Sequence, residues 1–173
     1  MRRPNIVLTG FMATGKSTVG RLLADASGDE FVDTDAVIEK RYGPIDELFR
    51  THGEDAFRAI ERELAKDLAE MEGVVISTGG GMLLNEEVVD LLKARCRIFC
   101  LTAEPDEILR RVRAQAGRER PLLSGSRPAD TIAALLASRS AAYARFEQVP
   151  TDGRSVEEIV ADIKARVGPA SGM

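Results

Sequence analysis

The amino-acid sequence predicts an α/β fold, a three-layer αβα sandwich with helices on both faces of a five-stranded parallel sheet. Two observations support this prediction. Short apolar runs alternate along the chain with longer stretches whose apolar residues recur at helical spacing. The length of 173 residues and the apolar content of 44% suit a single domain, and no repeat or linker divides two cores.

Five short apolar runs are the candidate strands. The first, Asn5 to Thr9, is rich in β-branched residues and is ended by Gly10. The others lie at 30–33, 74–77 and 97–101, with a less regular fifth near Gln148. Cys96 and Cys100 fall on one face of the fourth strand, which favours apolar packing over metal binding.

Stretches of helical spacing separate these runs. Pro44 fits the first turn of a short helix through Phe49, where its missing N–H would be unpaired anyway. Gly53 then breaks the chain before a longer helix from Glu54 to about Glu70. The remaining helices are predicted from Ser17 onward, at 36–41, at 86–93, from 104 onward, at 131–145 and at 156–167.

The composition argues against several classes of protein. There are 24 Lys and Arg against 28 Asp and Glu, and the net charge of -4 disfavours broad nucleic-acid binding. No apolar run approaches the ~20 residues that cross a bilayer, and the start of the chain does not resemble a secretory signal. Two cysteines form no disulfide framework, and a single histidine, His52, disfavours histidine-rich zinc sites. We therefore expect a cytoplasmic protein without nucleic-acid or membrane partners.

Three polar or glycine-rich clusters follow the first three strands. They are Thr9-Gly10, Asp33-Thr34-Asp35 and Gly79-Gly80-Gly81. Ligands of parallel sheets bind outside the carboxyl ends of the strands, so these clusters are expected to meet at one rim.

The segment from Gly10 to Ser17 matches the phosphate-binding pattern G-x-x-x-x-G-K-[ST] between a strand and a helix. In such a loop, backbone N–H groups and the helix N-terminus face a triphosphate. Lys16 would bridge the β- and γ-phosphates, and the Ser17 hydroxyl would hold Mg²⁺. The alternative is a glycine turn before an ordinary amphipathic helix. The motif alone does not separate kinases, ATPases and GTPases.

With this loop in place, the chain resembles the shikimate kinases, in the P-loop nucleoside-monophosphate kinase-like group. The resemblance covers nearly the whole chain and is carried by GFMATGKST (10–18), DTD (33–35), GEDAFRAIE (53–61), STGGG (77–81) and RPLL (120–123). Two departures are Ala13, where the family often has glycine, and Pro44, where it usually has serine. The resemblance implies ATP- and Mg²⁺-dependent phosphorylation of the 3-hydroxyl of shikimate, a step of chorismate and aromatic amino-acid biosynthesis.

The resemblance also implies a domain organisation. Residues 1–168 would form one domain with substrate-binding helices at about 34–61. A mobile lid is expected at about 113–128, where Arg, Gly, Ser and Pro replace the periodic pattern. Residues 169–173 would be a disordered tail. We expect a monomer, since no long apolar seam is left exposed.

Asp33 and Asp35 follow the second strand. Carboxylates two apart in an extended chain point the same way, here toward the phosphate loop. One could reach Mg²⁺ through water and the other could accept a hydroxyl proton, although a helix N-cap is the alternative role for an aspartate here. The resemblance assigns the metal side to Asp33 and the substrate hydroxyl to Asp35, which acts as general base or only positions the hydroxyl.

Arg58 and Glu61 lie three apart on a predicted helix and therefore share a face. A guanidinium suits a carboxylate, and Glu61 could hold it in place, but a surface ion pair is the alternative. The resemblance makes Arg58 and Arg139 the clamp for the carboxylate of shikimate. It places the substrate ring against Gly79, Gly80 and Gly81.

The resemblance further implies an ATP site that extends beyond the loop. Its predicted residues are Ala13, Thr14, Gly15, Lys16, Ser17, Thr18, Arg113, Arg120 and Arg154. Arg113 would stack on adenine, and Arg120 would fold over the transferring phosphate, so that Lys16, Asp35 and Arg120 form the catalytic set. The arginines from Arg110 onward could instead be solvated helix-face charges; Arg118 has no assigned role.

Two other functions remain open at this point. One is a different small-molecule kinase of the same fold, acting on gluconate or a nucleotide. The other is a nucleotide-binding regulator descended from such a kinase, for which damage at Lys16, Asp35 or Arg120 would be expected, and the sequence shows none.

Overall fold

The computed structural model describes residues 4–114 and 127–168 and confirms the predicted α/β class. Five strands form one parallel sheet in the order β2-β3-β1-β4-β5. The strands are β1 (Asn5–Gly10), β2 (Glu30–Asp33), β3 (Val74–Ser77), β4 (Cys96–Thr102) and β5 (Glu147–Pro150). Each matches a candidate strand of the sequence to within about two residues, the usual uncertainty of element ends.

Seven helices connect and cover the strands in the described residues. They are α1 (Lys16–Ser27), α2 (Thr34–Tyr42), α3 (Ile45–Glu70), α4 (Glu86–Lys93), α5 (Pro105–Ala114), α6 (Pro128–Tyr143) and α7 (Val156–Val167), with a short 3-10 turn at Met82–Leu84. The predicted break inside α3 is present, because Gly53 adopts φ 80° and ψ 174°. The second helix begins at Thr34, two residues earlier than predicted, because the Asp33 side chain caps it.

Two apolar clusters lie on opposite faces of the sheet and produce the three layers. On one face Val7, Ile76 and Ile98 pack with α3 and α4, and on the other Leu8 and Val75 pack with α1 and α7. Successive strand residues point to opposite faces, and both faces are covered, so the central strands are apolar throughout.

The two cysteines lie in the first of these clusters, as their spacing predicted. Burial raises the pKa of each thiol, Cys96 and Cys100, to about 11. Both thiols are therefore protonated at neutral pH, which suits packing and not metal ligation. In the described part of the chain, none of the helices combines the length and apolar character needed to cross a membrane. Most of the predicted lid and the predicted tail lie outside the described residues.

Candidate active site

The carboxyl ends of β1, β2 and β3 bring the three predicted clusters to one rim. These strands are neighbours in the sheet, and Ser77 is in register with both Asp33 and Leu8. The phosphate loop, the segment Asp33 to Asp35 and the three glycines therefore leave the sheet side by side.

The phosphate loop runs from the end of β1 to the start of α1. Its interior is fixed by Thr14, whose buried Oγ1 donates to the carbonyl of Phe11 over 2.8 Å. Lys16 lies across the loop, and its Nζ donates to the carbonyls of Gly10 and Phe11, each over 2.9 Å. An ammonium group and a helix N-terminus are thus held together, which is an arrangement suited to an anion.

Ala13 adopts the conformation that a glycine would adopt. Its φ is 57°, and it is the one non-glycine residue with a positive φ among residues 4–114 and 127–168. For an L-residue this left-handed geometry costs roughly 1–2 kcal/mol. The alanine at this position therefore adds backbone strain to the loop.

Ser17 and Asp33 form the part of the site that could hold a metal. The Ser17 Oγ donates to Asp33 Oδ2 over 2.6 Å and lies 3.4 Å from the Ser77 Oγ. Hydroxyl and carboxylate oxygens are the ligands that Mg²⁺ accepts, and its remaining positions are usually filled by phosphates and water. No group of three or more His, Cys, Asp or Glu residues in the described chain could hold an ion by itself. These residues fit a cation that arrives with a nucleotide.

Asp33 also fills the alternative role, since its Oδ1 accepts from the backbone N–H groups of Asp35 and Ala36. The expectation that Asp33 and Asp35 point the same way along an extended strand is wrong, because Asp35 lies in the first turn of α2. The helix instead places the Asp35 carboxylate against Gly79. A Cβ atom on Gly79 would lie 2.5 Å from Asp35 Oδ1.

Each of the three glycines faces a different predicted substrate-binding side chain. A Cβ on Gly80 would lie 3.4 Å from Arg139 Nη1, and one on Gly81 would lie 2.9 Å from Arg58 Nη2. With Asp35 against Gly79, the absence of side chains on this segment allows all three polar groups to approach the backbone closely. One carboxylate and two guanidinium groups therefore surround the segment.

Two hydrogen bonds fix this segment. The Gly79 N–H donates to Thr34 Oγ1 over 3.0 Å, and the Tyr143 hydroxyl donates to the carbonyl of Gly80 over 2.7 Å. Tyr143 is not among the site residues predicted from the sequence. The available signal was its position four residues after Arg139, which places both on one face of α6.

Arg58 and Glu61 form a largely buried pair instead of the surface pair that was the alternative. Their side chains are 24% and 3% exposed, and Arg58 Nη1 donates to Glu61 Oε2 over 2.6 Å. Glu54 accepts from the Nη2 of Arg58 over 3.1 Å. Burial raises the pKa of Glu61 above its ordinary value, and the bond and charge of Arg58 limit that rise. Two carboxylates thus fix a guanidinium beside Gly81.

Replacing Arg58 by methionine is expected to destabilise the fold in a pH-dependent way. Because the folded chain ionises Glu61 less readily than the unfolded chain, the stability contributed by Glu61 is lost as the pH rises through its folded pKa. Without Arg58 that pKa rises further. We expect Arg58→Met to cost about 1–3 kcal/mol near neutral pH. That cost should shrink as the pH falls toward 4.5, the ordinary glutamate value.

Urea unfolding at several pH values would measure this effect, with Arg58→Met in a Glu61→Gln background as the matched control. The double variant lacks the buried carboxylate and is expected to lose the pH-dependent part of the cost. A cost that stays constant over the pH range would mean that Arg58 does not alter the ionisation of Glu61 in the folded chain.

Two of the three arginines predicted for the nucleotide, Arg113 and Arg154, lie in the described residues. Arg113 is exposed in the last turn of α5, and Thr18 is exposed in α1. Arg154 donates to the carbonyls of Pro150 and Glu158 and to Asp162, so it ties the end of β5 to α7. Arg120 lies outside the described residues. Of the α5 arginines, Arg111 contacts the phosphate loop, although its sequence pattern predicted only a helix-face charge.

Comparison with known proteins agrees with the fold and shows the family. A family model described as shikimate kinase matches residues 12–167. A shikimate kinase of Geobacter metallireducens is 44% identical over 161 residues, which are 92% of this chain and 89% of that protein. The structure of a shikimate kinase from Acinetobacter baumannii in complex with shikimate has a TM-score of 0.84 and 32% identity, covering 92% of this chain and 90% of that one. The shikimate kinase structure from Bacteroides thetaiotaomicron has a TM-score of 0.87 and 32% identity, covering 95% and 98%. The chain belongs to the shikimate kinase family.

Proposed function

We propose that this protein transfers the γ-phosphoryl group of ATP to the 3-hydroxyl of shikimate, giving shikimate 3-phosphate and ADP. This reaction is a step of chorismate and aromatic amino-acid biosynthesis. One observation carries the proposal: three glycines beside a phosphate-binding loop face one carboxylate and two guanidinium groups. Membership of the shikimate kinase family supports it.

Shikimate would lie against Gly79 to Gly81. Arg58 and Arg139 would bind its carboxylate, because a guanidinium offers paired N–H donors to a carboxylate. Asp35 would face a hydroxyl at the other end of the segment. It would orient that hydroxyl and accept its proton as the phosphoryl group arrives.

The nucleotide would occupy the phosphate loop, with backbone N–H groups of residues 13–18 and the ammonium of Lys16 on its phosphates. Ser17 would bind Mg²⁺ directly and Asp33 would do so through water. When bound, Mg²⁺ supplies charge neutralisation at the β- and γ-phosphates. Arg113, Arg120 and Arg154 complete the proposed ATP site, with Arg120 over the transferring phosphate.

Catalysis in this proposal comes mainly from position and charge. Phosphoryl transfer requires the hydroxyl oxygen, the phosphorus and the leaving oxygen to lie roughly in line. Asp35 would hold the attacking oxygen while Lys16 holds the phosphate. Because the three glycines lie close to the loop, the attacking oxygen and the phosphate would be brought together. We propose further that residues 1–168 act as one domain, as a cytoplasmic monomer, without nucleic-acid or membrane partners.

The test is ADP release by the purified protein with MgATP and shikimate, gluconate, CMP or no acceptor. Release dependent on shikimate is the expected result. Release dependent only on gluconate or CMP would overturn the substrate while keeping the phosphate loop. Nucleotide binding without turnover for any acceptor would indicate a regulator instead of an enzyme.

A further inference from the structure

Arg111 lies where three segments from different parts of the chain meet. Its Nε donates to Glu107 Oε1 over 2.6 Å on the same helix. Its Nη1 and Nη2 donate to the Oγ1 and the carbonyl of Thr151, over 2.9 and 3.0 Å. The same Nη1 lies 3.3 Å from the carbonyl oxygen of Ala13 in the phosphate loop and donates to it. The side chain of Arg111 is 21% exposed, whereas that of its neighbour Arg110 is 70% exposed.

The guanidinium is anchored before it reaches the loop. Hydrogen bonds from Arg110 and Arg111 lower the pKa of Glu107 to about 2, so this carboxylate stays ionised at neutral pH. Thr151 is buried, and both its N–H and its Oγ1 donate to the carbonyl of Thr102 at the end of β4, each over 2.9 Å. Helix α5 and the sheet therefore fix the direction in which Arg111 points.

The contact with Ala13 determines how one peptide group of the loop is oriented. The carbonyl of Ala13 and the N–H of Thr14 belong to the same planar trans peptide and point in opposite directions. Holding the oxygen toward Arg111 therefore keeps the Thr14 N–H directed away from Arg111. If this peptide turned over, a carbonyl oxygen would replace an N–H on the other side and would repel a phosphate there.

The strained conformation of Ala13 gives the hydrogen bond from Arg111 a role. Its φ of 57° is one that alanine leaves readily, since an L-residue favours negative φ. Glycine populates positive φ about as readily as negative φ, so a glycine at this position would depend less on an outside contact.

We propose that Arg111 is a positioning residue for the nucleotide: it holds the peptide between Ala13 and Thr14 with its oxygen turned away from the bound phosphates and its N–H turned toward them. The ligand class is a nucleoside di- or triphosphate. The inference rests on the nucleotide site of the proposed function and extends it to a residue that does not itself contact the phosphates.

The test is the affinity for MgADP, measured by titration calorimetry without any acceptor substrate. Arg111→Met keeps the length of the stem and removes the hydrogen bonds, and we expect it to raise the Kd about tenfold. Arg111→Lys keeps the charge and one donor nitrogen. Its Kd is expected to lie between that of the parent and that of Arg111→Met. Arg110→Met is the matched control, because it removes an exposed arginine that shares Glu107, and its Kd is expected to stay within about twofold of the parent.

The same substitution in an Ala13→Gly background provides the decisive comparison. We expect the loss on Arg111→Met to shrink to about threefold or less there, because glycine keeps the loop conformation without help. In turnover assays the KM for ATP should rise while the KM for shikimate stays the same. If Arg111 had a merely structural role, glycine at position 13 would not reduce the loss of MgADP affinity. The KM for ATP and the KM for shikimate would then change together.

Two results would overturn this inference alone. The first is that the parent protein and the Arg111→Met variant bind MgADP equally well. The second is that Arg111→Met weakens MgADP binding by the same factor with alanine and with glycine at position 13. If Arg111→Met does not fold, Arg111→Lys with an unchanged Kd in both backgrounds would also overturn it. A parent protein that binds no MgADP would instead overturn the proposed function together with the inference.

Discussion

Replacing Asp35 by asparagine is expected to lower kcat for shikimate phosphorylation by about 10²- to 10⁴-fold, the usual contribution of a positioned general base. Asparagine has nearly the same shape but cannot accept the hydroxyl proton. The affinity for MgADP should stay within about twofold, because Asp35 faces the glycines and not the phosphate loop.

The structure predicts that the variant keeps its local geometry. Asp35 is held by the first turn of α2, which is capped by Asp33 and tied to Gly79 through Thr34. None of these contacts uses the Asp35 carboxylate. A loss of turnover with an unchanged free energy of unfolding would therefore report on chemistry at the hydroxyl and not on a displaced helix.

Steady-state kinetics on Asp35→Asn and on Asp46→Asn would check this. Asp46 is an exposed acid in the first turn of α3, and its replacement should change kcat by no more than about twofold. A raised KM for shikimate with an unchanged kcat would limit Asp35 to substrate binding. A change in MgADP affinity as large as the change in kcat would place Asp35 at the nucleotide.

The fold could be predicted because its signals are local. Each central strand is a short apolar run buried on both faces, and the breaks at Gly10 and Gly53 are visible as residue types. The phosphate loop is eight contiguous residues, so its identity also needs no tertiary information. The wrong prediction that Asp35 continues the extended strand had a small effect on its expected position. The early start of α2 changes the direction of the Asp35 side chain but keeps it at the same rim.

Contacts between distant segments gave no such signal. Tyr143 reaches Gly80 across 63 residues of sequence, and Arg111 reaches Ala13 across 98. Each is one polar residue on a helix, where the pattern equally predicts a solvated face. The burial of Glu61 was similarly hidden, because the spacing of Arg58 and Glu61 is the same in a buried pair and in an exposed one.

Replacing Lys16 by methionine is expected to lower kcat/KM for ATP by about 10²- to 10³-fold, the usual cost of removing one preorganised charge-stabilising group. Methionine keeps most of the apolar stem but places no charge at the phosphates. The ammonium lies over the loop, on the carbonyls of Gly10 and Phe11. A triphosphate in the loop would therefore lie beside this positive charge.

Lys164→Met is the matched control for this experiment. Lys164 also donates its Nζ to a backbone carbonyl, that of Ala26 over 3.0 Å, but it lies on α7 away from the loop. Its replacement removes one ammonium and one such bond, and kcat/KM should stay within about twofold. If Lys16→Met kept more than about a tenth of kcat/KM, less than about 1.4 kcal/mol of transition-state stabilisation could be assigned to Lys16. The charge that stabilises the transferring phosphate would then have to come from the metal or from an arginine, and the loop would serve mainly to bind the nucleotide.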